Sequence, residues 1–552
     1  MSGIVKRIIT VVLICTSVQA QDMPWDSGPV GIYPDNPHYL AHENGTPFIW
    51  LGDTAWELFH RPTTSQITTY MDNRDAKHFT LIQAVLLSEL GGITEPTPEG
   101  YYPLINQNPD TPDIRPGDNN DYWDRADWII DQAASRGLYI GVLPSWWIYW
   151  KNGNSLIFDP TKAYNYGRFL GNRYGTRSNI IWILGGDRYP DPGIEQDNIL
   201  QMAAGLEQGI SEIGGNNPVM TFHPPGAIGG NSSSSYFHDE SWLDFNMIQT
   251  GHFARHQDNY SKVFSDYQLT PIKPTWNGEP QYEDHPIYWN PANGYFNDAD
   301  AREAAYWSLF AGAFGHTYGH HAIWQWRGDW QTAIDFEGAI DMRHALDLLL
   351  SRPFLERMPD QSIIASNIVD GEDHLQSTRG DDYLFVYTGN GRSFDVNMGR
   401  IGGSNVQAWW FNPRDGTISQ IGTFANIGIQ SFDPPGGQVF GNDWVLVLDN
   451  TARTDFPLPG QDIWYGNNPI MIPPPTNLTT TICSPGCIEI CWLDNSAGDQ
   501  QEDAFIIQRK PYQGSTAWHT IGILNRDTQC YTDTDNIHGI TQYTYRVGAV
   551  KY

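Results

Sequence analysis

The chain has 552 residues, several times a typical single domain, so two to four domains are expected. It carries 63 Asp and Glu against 32 Lys and Arg, a formal net charge of −31, which excludes the concentrated basic surface that nucleic-acid binding requires and leaves solubility as the plain reading of the acidity. Aromatic residues make up 13% of the chain, with 22 tryptophans, and supply flat apolar faces able to stack on sugar rings, although many of them belong to cores.

Residues 1–20 read as a secretory signal peptide. Lys6 and Arg7 precede an apolar run over 8–15, and Ser17-Val18-Gln19-Ala20 ends in a small-residue cleavage pattern. Ile14 is too large for the position before a lipid-modified cysteine, so Cys15 is not read as an anchor. No later apolar run approaches the ~18–20 residues needed to cross a bilayer. The expected protein is therefore secreted, whether extracellular, cell-surface or periplasmic, without a membrane-spanning segment and with a mature net charge of −33.

From 48 to 352, apolar β-type runs alternate with amphipathic helical stretches. The runs fall at 48–56, 78–88, 138–147, 179–187, 218–226, 245–252, 274–280 and 316–326. Between them, 121–137 repeats Ala126, Ile129, Ile130 and Ala133 at helical spacing before Gly137, and 298–314 begins with an aspartate suited to an N-cap. Eight such units predict a (β/α)8 TIM-type barrel over 21–352, with its site at the C-terminal ends of the strands; an open doubly wound sheet lacks the expected glycine fingerprint. After Pro353, short alternating runs such as 382–398 and 442–450 predict a β-sandwich over 353–452. A Pro-rich linker at 453–475 leads to a second small all-β sandwich at 476–552, whose strand spacing is that of a fibronectin type III module. That last segment holds Cys483, Cys487, Cys491 and Cys530, read as disulfide-forming with three possible pairings, since their spacing suits zinc poorly.

Strand ends supply the candidate chemistry. Asp53 follows the first run, Asp187 the fourth, His223 the fifth, His252 the sixth and Glu279 the seventh, while Tyr318, His320 and His321 fall within the eighth. The fourth run, IIWILGGD, drives straight into two glycines and a carboxylate, which lets the backbone turn sharply and leaves room for substrate. Asp187 could instead cap a helix or hold Arg188 in a turn, and Glu279, with Glu283 and Asp284 nearby, could be a solvated loop acid. Paired across one barrel mouth, Asp187 and Glu279 would suit glycoside hydrolysis, which needs one carboxyl to protonate the departing oxygen and another to attack the anomeric carbon or activate water. Asp53 reads as a structural acceptor or a ligand for a sugar hydroxyl. Trp56, Trp146, Trp147, Trp150, Trp276, Trp324 and Trp326 lie at or just past strand ends, as core or as stacking platforms. His316 and His320 are four apart, but a helical pair would contain Gly319 and no H-E-x-x-H occurs, so no metal or other cofactor is expected. No G-x-S-x-G occurs either, and the barrel has no mature cysteine, which disfavours nucleophilic Ser or Cys chemistry.

The stretches HYLAHENGTPFIWLGDTAWELF (38–59), WILGGD (182–187), NGEPQYE (277–283) and GHTYGHHAIWQW (315–326) resemble the apiosidase-like family of glycoside hydrolases over residues 30–450. The resemblance implies a (β/α)8 catalytic domain of the DUF4038 type, a C-terminal β-sandwich carrying a "collagen-binding" label, and cleavage of side chains or backbones in complex plant or algal polysaccharides. It also implies that Asp187 is the acid/base and Glu279 the nucleophile, acting with retention if their carboxyls lie roughly 5–5.5 Å apart and with inversion at roughly 6.5–9.5 Å. Asp53, Trp56, Trp146, His223, His252, Trp276, Tyr318, His320 and Trp324 are the expected contacts to the sugar. The loops at 89–118 and 225–240 carry no readable motif. Two alternatives stand beside the hydrolase: a non-catalytic carbohydrate- or matrix-binding protein, and a metal-dependent hydrolase of peptides or esters.

Overall fold

The computed structural model describes residues 12–13, 23–153, 155–228, 230–461, 476–484, 487–493, 504–511, 519–525, 528–533 and 543–550. The chain divides into two units, Ser27–Trp464 and Met1–Asp26 with Tyr465–Tyr552.

In the larger unit eight parallel strands form the barrel: β1 (Trp50–Thr54), β2 (Leu81–Leu87), β3 (Tyr139–Ser145), β4 (Ile180–Gly185), β5 (Met220–His223), β6 (Asn246–Gln249), β7 (Thr275–Glu279) and β8 (Gly315–Tyr318). Their order follows the chain, and β8 returns to β1 with Tyr318 opposite Asp53. They are buried almost throughout, as strands covered on both faces by barrel interior and helices must be. The seam between β5 and β6 has no strand ladder among the described residues, because the outer edge of β6 is taken by the antiparallel pair Asn231–Ser232. Three bonds close it: Asp244 N–H donates to Met220 O (2.9 Å), Met220 N–H to the Asp244 carboxylate (2.7 Å), and the Thr221 hydroxyl to Phe245 O (2.6 Å).

Seven longer helices clothe the barrel: α1 (Thr64–Ala76), α2 (Tyr122–Ala134), α3 (Pro160–Tyr174), α4 (Ile194–Glu212), α5 (Asn259–Tyr267), α6 (Asp298–Phe310) and α7 (Glu337–Leu350). Helix α2 starts where Asp121 accepts hydrogen bonds from Trp123 N and Asp124 N, and it buries Ala126, Ile129, Ile130 and Ala133 as the periodicity requires. Helices α3 and α4 meet backbone to backbone: a Cβ on Gly209 would sit 2.2 Å from Arg168 O, and one on Gly171 would sit 2.4 Å from Leu206 O. The helix expected over 298–314 ends at Phe310, and its cap is Asn297, which exchanges hydrogen bonds with Asp300, rather than an aspartate. The run expected as an eighth strand over 316–326 also divides: the strand stops at Tyr318, and His321–Trp324 is a helical turn.

A six-stranded antiparallel sheet and a two-stranded partner follow. Its order is Met358–Pro359, β9 (Leu375–Arg379), β10 (Tyr383–Thr388), β15 (Trp444–Asn450), β12 (Asn405–Phe411) and β13 (Ile418–Ala425), while β11 (Phe394–Asn397) pairs with β14 (Ile429–Phe432). Helix α6 lies between this sheet and the barrel, so every residue from Ala299 to Phe310 is buried. Tyr306 stacks on Tyr387 at 4.9 Å and Phe310 on Phe385 at 5.6 Å. Each such aromatic contributes about 1.5–3 kcal/mol by leaving water.

The smaller unit contains two three-stranded antiparallel groupings. One joins β16 (Thr476–Ser484), β17 (Cys487–Leu493) and β20 (Cys530–Asp533); the other joins β18 (Ala504–Pro511), β19 (His519–Asn525) and β21 (Tyr543–Val550), which also pairs with Val12–Leu13. A disulfide links Cys491 to Cys530 across β17 and β20. The side chains of Cys483 and Cys487, the rest of the expected signal segment, and residues 462–475 of the expected linker lie outside the described residues. No helix among the described residues is long and apolar enough to cross a membrane.

Candidate active site

The C-terminal ends of the strands open into a cleft of about 430 Å³, lined by Trp56, Glu89, Trp146, Asp187, Gln249, His252, Glu279 and Trp324, among others. Asp187 reaches it through three consecutive left-handed residues, Gly185 (φ 87°), Gly186 (φ 124°) and Asp187 itself (φ 49°). A side chain at Gly186 would meet the Trp146 ring at 2.8 Å, so the two glycines supply both the turn and the clearance. The turn is held by the Trp150 indole, which donates to Gly185 O at 3.1 Å, and by Asp187 N–H, which donates to His223 Nδ1 at 3.0 Å.

Glu279 is aimed by an irregularity in β7. Ile248 lies opposite Asn277 but Gln249 lies opposite Glu279, which skips Gly278. A Cβ at Gly278 would collide with Met247 and Trp276 at 2.5 and 2.6 Å. Behind the carboxylate stand two imidazoles, His223 with Nε2 at 2.8 Å from Oε2 and His252 with Nε2 at 3.5 Å from Oε1. The His223 contact is short but bent away from the line of its N–H. Each ring faces a backbone N–H with its other nitrogen, Asp187 N for His223 and Tyr282 N at 3.2 Å for His252. For His252 that contact leaves Nε2 to face Glu279, whereas His223 Nδ1 also lies 2.9 Å from Pro224 O.

The two carboxyls consequently differ. Burial, followed by the charge of Glu279, raises the pKa of Asp187 above the ordinary aspartate range, against the pull of Arg188, His223 and the Gln249 amide, which donates to Oδ1 at 3.1 Å. Burial also pushes Glu279 upward, but the contacts from His223 and His252 outweigh it and hold this carboxyl well below the usual range. A third acid, Glu89, is pushed up to about 8 by burial and then by the charges of Glu57, Asp187 and Glu279. The site therefore brings together two carboxyls pushed toward the protonated form and one held toward the ionised form.

The aromatic walls are Trp56 and Trp146, 5.2 Å apart and each 5.6 Å edge-on from His223, together with Trp324. Trp146 Nε1, Trp324 Nε1 and Gln249 Oε1 are buried beside the cleft without a hydrogen-bond partner in the protein. Trp147 lies under the Arg188 guanidinium at 4.4 Å, and Trp326 packs on Trp330.

Five residues expected at the sugar do not line the cleft: His223 is fully buried behind Glu279, and the other four are held in the scaffold. Asp53 is fully buried, pairing with Arg74 and accepting from the Tyr70 hydroxyl, both at 2.5 Å, so it ties β1 to α1. Trp276 fills the barrel interior, 4.6 Å from Trp50, and donates to Thr317 Oγ1. Tyr318 donates to Glu283 at 2.5 Å, and His320 accepts from Ala322 N at 3.0 Å to cap the turn after β8. Glu283 is thereby a structural carboxyl, which separates it from Glu279. Sequence reading passed over Glu89, Gln249, Phe253, His285 and Trp289, all of which line the cleft. Gln249 ends β6 and could have been found by the same strand-end rule, whereas the others sit on loops without a motif.

Residues 34–356 match the family model described as "Apiosidase-like, catalytic domain", and residues 358–449 match one described as "Putative collagen-binding domain of a collagenase". Among solved structures, the chain is similar to a glycoside hydrolase at 33% identity and a TM-score of 0.72, covering 78% of this chain and 99% of the other. It is likewise similar to a glycoside hydrolase family 5 protein from Bacteroides vulgatus ATCC 8482 at 34% identity and a TM-score of 0.71, covering 78% and 95%. A search of curated proteins gave no match.

Proposed function

The chain belongs to the apiosidase-like family, and on that premise we propose that it is a secreted glycoside hydrolase that cleaves a complex plant or algal polysaccharide by a retaining mechanism. The observation that carries this reading is the opposite tuning of two neighbouring carboxyls, Asp187 upward and Glu279 downward. In the first step Glu279 attacks the anomeric carbon while the Asp187 carboxyl passes its proton to the departing glycosidic oxygen; the C–O bond breaks and the leaving alcohol departs. Glu279 is then esterified and uncharged. The repulsion that helped to raise Asp187 is thereby removed, so its pKa falls and it becomes the base that takes a proton from water as the water oxygen attacks the same carbon; the ester bond to Glu279 breaks, the sugar leaves with a new hydroxyl, and Glu279 is again a carboxylate. His223 and His252 steady the carboxylate of Glu279, Trp56, Trp146 and Trp324 offer faces to the sugar, and Glu89, neutral near pH 7, can donate to a hydroxyl.

The test is to incubate the purified chain with a panel of plant and algal polysaccharides and identify the sugars released. Release is expected from at least one polymer, with turnover falling about 10²–10⁴-fold in Asp187→Asn. Full rates in both Asp187→Ala and Glu279→Ala would dismiss the assignment, and glycan binding without any release would favour the non-catalytic alternative.

A further inference from the structure

The loop from β7 to α6 carries aromatic surface that this mechanism does not use. Tyr288 is 59% exposed and Trp289 55% exposed, and among the described residues no other tryptophan is exposed to this degree. Both also hold left-handed backbone, at φ 55° and 56°, a region that bulky residues avoid. The conformation is enforced: Tyr288 N–H donates to His252 O at 2.8 Å, Trp289 N–H to Pro286 O at 3.0 Å, and Ile287 N–H to Gly294 O at 3.0 Å. Trp289 stands edge-on to Phe253 at 5.0 Å and to His252 at 5.8 Å, and Phe253 is 6.1 Å from Tyr288. Phe253 and Trp289 line the cleft beside His252, and the Tyr288 ring adjoins both, 6.1 Å from Phe253 and 6.2 Å from Trp289. Folding alone would bury such rings; holding them half in water on strained backbone beside a site is what recognition requires.

We infer that Phe253, Tyr288 and Trp289 form a stacking subsite for a further sugar ring of the glycan being cut, so that the substrate is an oligosaccharide or polysaccharide rather than a small glycoside. The inference rests on the glycosidase reading for its ligand, and its physical basis is separate from the chemistry. A pyranose or furanose ring presents a C–H face that packs on an aromatic plane, and such packing tolerates variation in the hydroxyls that point away. Arg255, two residues after Phe253, donates to Tyr295 O and pairs with Asp300, so that residue adds no free charge to the rim, which suits a neutral sugar.

The test is affinity electrophoresis of the full chain carrying Glu279→Gln, in native gels containing pectin, arabinogalactan, arabinoxylan or glucomannan, with Trp289→Ala, Tyr288→Ala and Trp289→Tyr added in turn and thermal unfolding run alongside. At least one polymer should retard the parent; Trp289→Ala should weaken that retardation about tenfold, and Trp289→Tyr should restore most of it. Equal retardation of parent and both alanine variants, or no retardation of the parent by any of the four, would overturn the inference. Sugar release by the wild-type chain with unaltered retardation of the variants removes the rim and keeps the hydrolase. Loss of retardation in Trp289→Ala with no sugar released from any polymer keeps the rim and removes the hydrolase.

Discussion

At Asp187 the proton assigned to catalysis in the proposed mechanism answers to burial and to four neighbours: the charge of Glu279, the Arg188 guanidinium, the His223 imidazole and the Gln249 amide. Arg188 lies 2.5 Å from its carboxylate but is 40% exposed, so its effect is screened by solvent. Arg188→Met removes a charge that favours the ionised form, which moves the pKa of Asp187 further up. Because Asp187 must be protonated to act as acid, activity is lost as pH rises through that pKa, and the alkaline limb of kcat/KM should shift to higher pH by about 0.5–1 unit. The acidic limb belongs to Glu279, which must be ionised, and should lie well below the ordinary glutamate range. Gly186 gives a steric test of the same site. Gly186→Ala places a methyl against Trp146 on backbone at φ 124°, so a loss of about 1–3 kcal/mol in stability and at least tenfold in kcat is expected from denaturation and kinetics measured together.

Among the elements, α6 joins the barrel to the sheet that follows it, and its centre is ionic. Arg302 is almost fully buried, with Asp443 at 2.9 Å, Asp341 at 2.6 Å and Asp298 at 2.6 Å. Arg302→Met leaves Asp341 and Asp443 buried without their partner, a change that costs about 3–5 kcal/mol and should lower the main thermal transition. The sequence showed α6 by its apolar content and acidic start, but not its two-sided burial, because the second face is covered by residues more than seventy positions later. The same limit explains Asp53. Position after a strand's apolar run places a residue near the rim but does not say whether it faces the cleft or the surrounding helices, and here Tyr70 and Arg74 of α1 claim the carboxylate. The place of Asp187 and Glu279 at the cleft was legible because each follows a glycine at the end of an apolar run. Phe253, Glu89 and Trp289 were not, since loop residues acquire a shared surface only when the barrel closes.

For the whole molecule, the division at Trp464 predicts how function survives cutting. Residues 27–464 produced alone should hydrolyse the same polymer within about twofold of the full rate and keep the main unfolding transition, whereas ending the chain at 356 would bare the faces of Tyr306 and Phe310 that pack on Tyr387 and Phe385 and should yield aggregated protein. The eight barrel strands and the sheet after them could be read from sequence, since each follows from local pattern. The β5–β6 seam, closed without a strand ladder, could not, because it depends on Asn231–Ser232 returning to pair with β6.

The division of labour between the two acids is tested most directly by azide rescue with an activated aryl glycoside of an oligosaccharide cut from the hydrolysed polymer. Asp187→Ala should regain turnover with azide and yield a glycosyl azide of the same anomeric configuration as the substrate, because azide then attacks the ester on Glu279 in the place of water; Glu279→Ala should yield the opposite anomer. The reverse pattern of anomers, or no rescue of either variant, would contradict the roles given to Asp187 and Glu279.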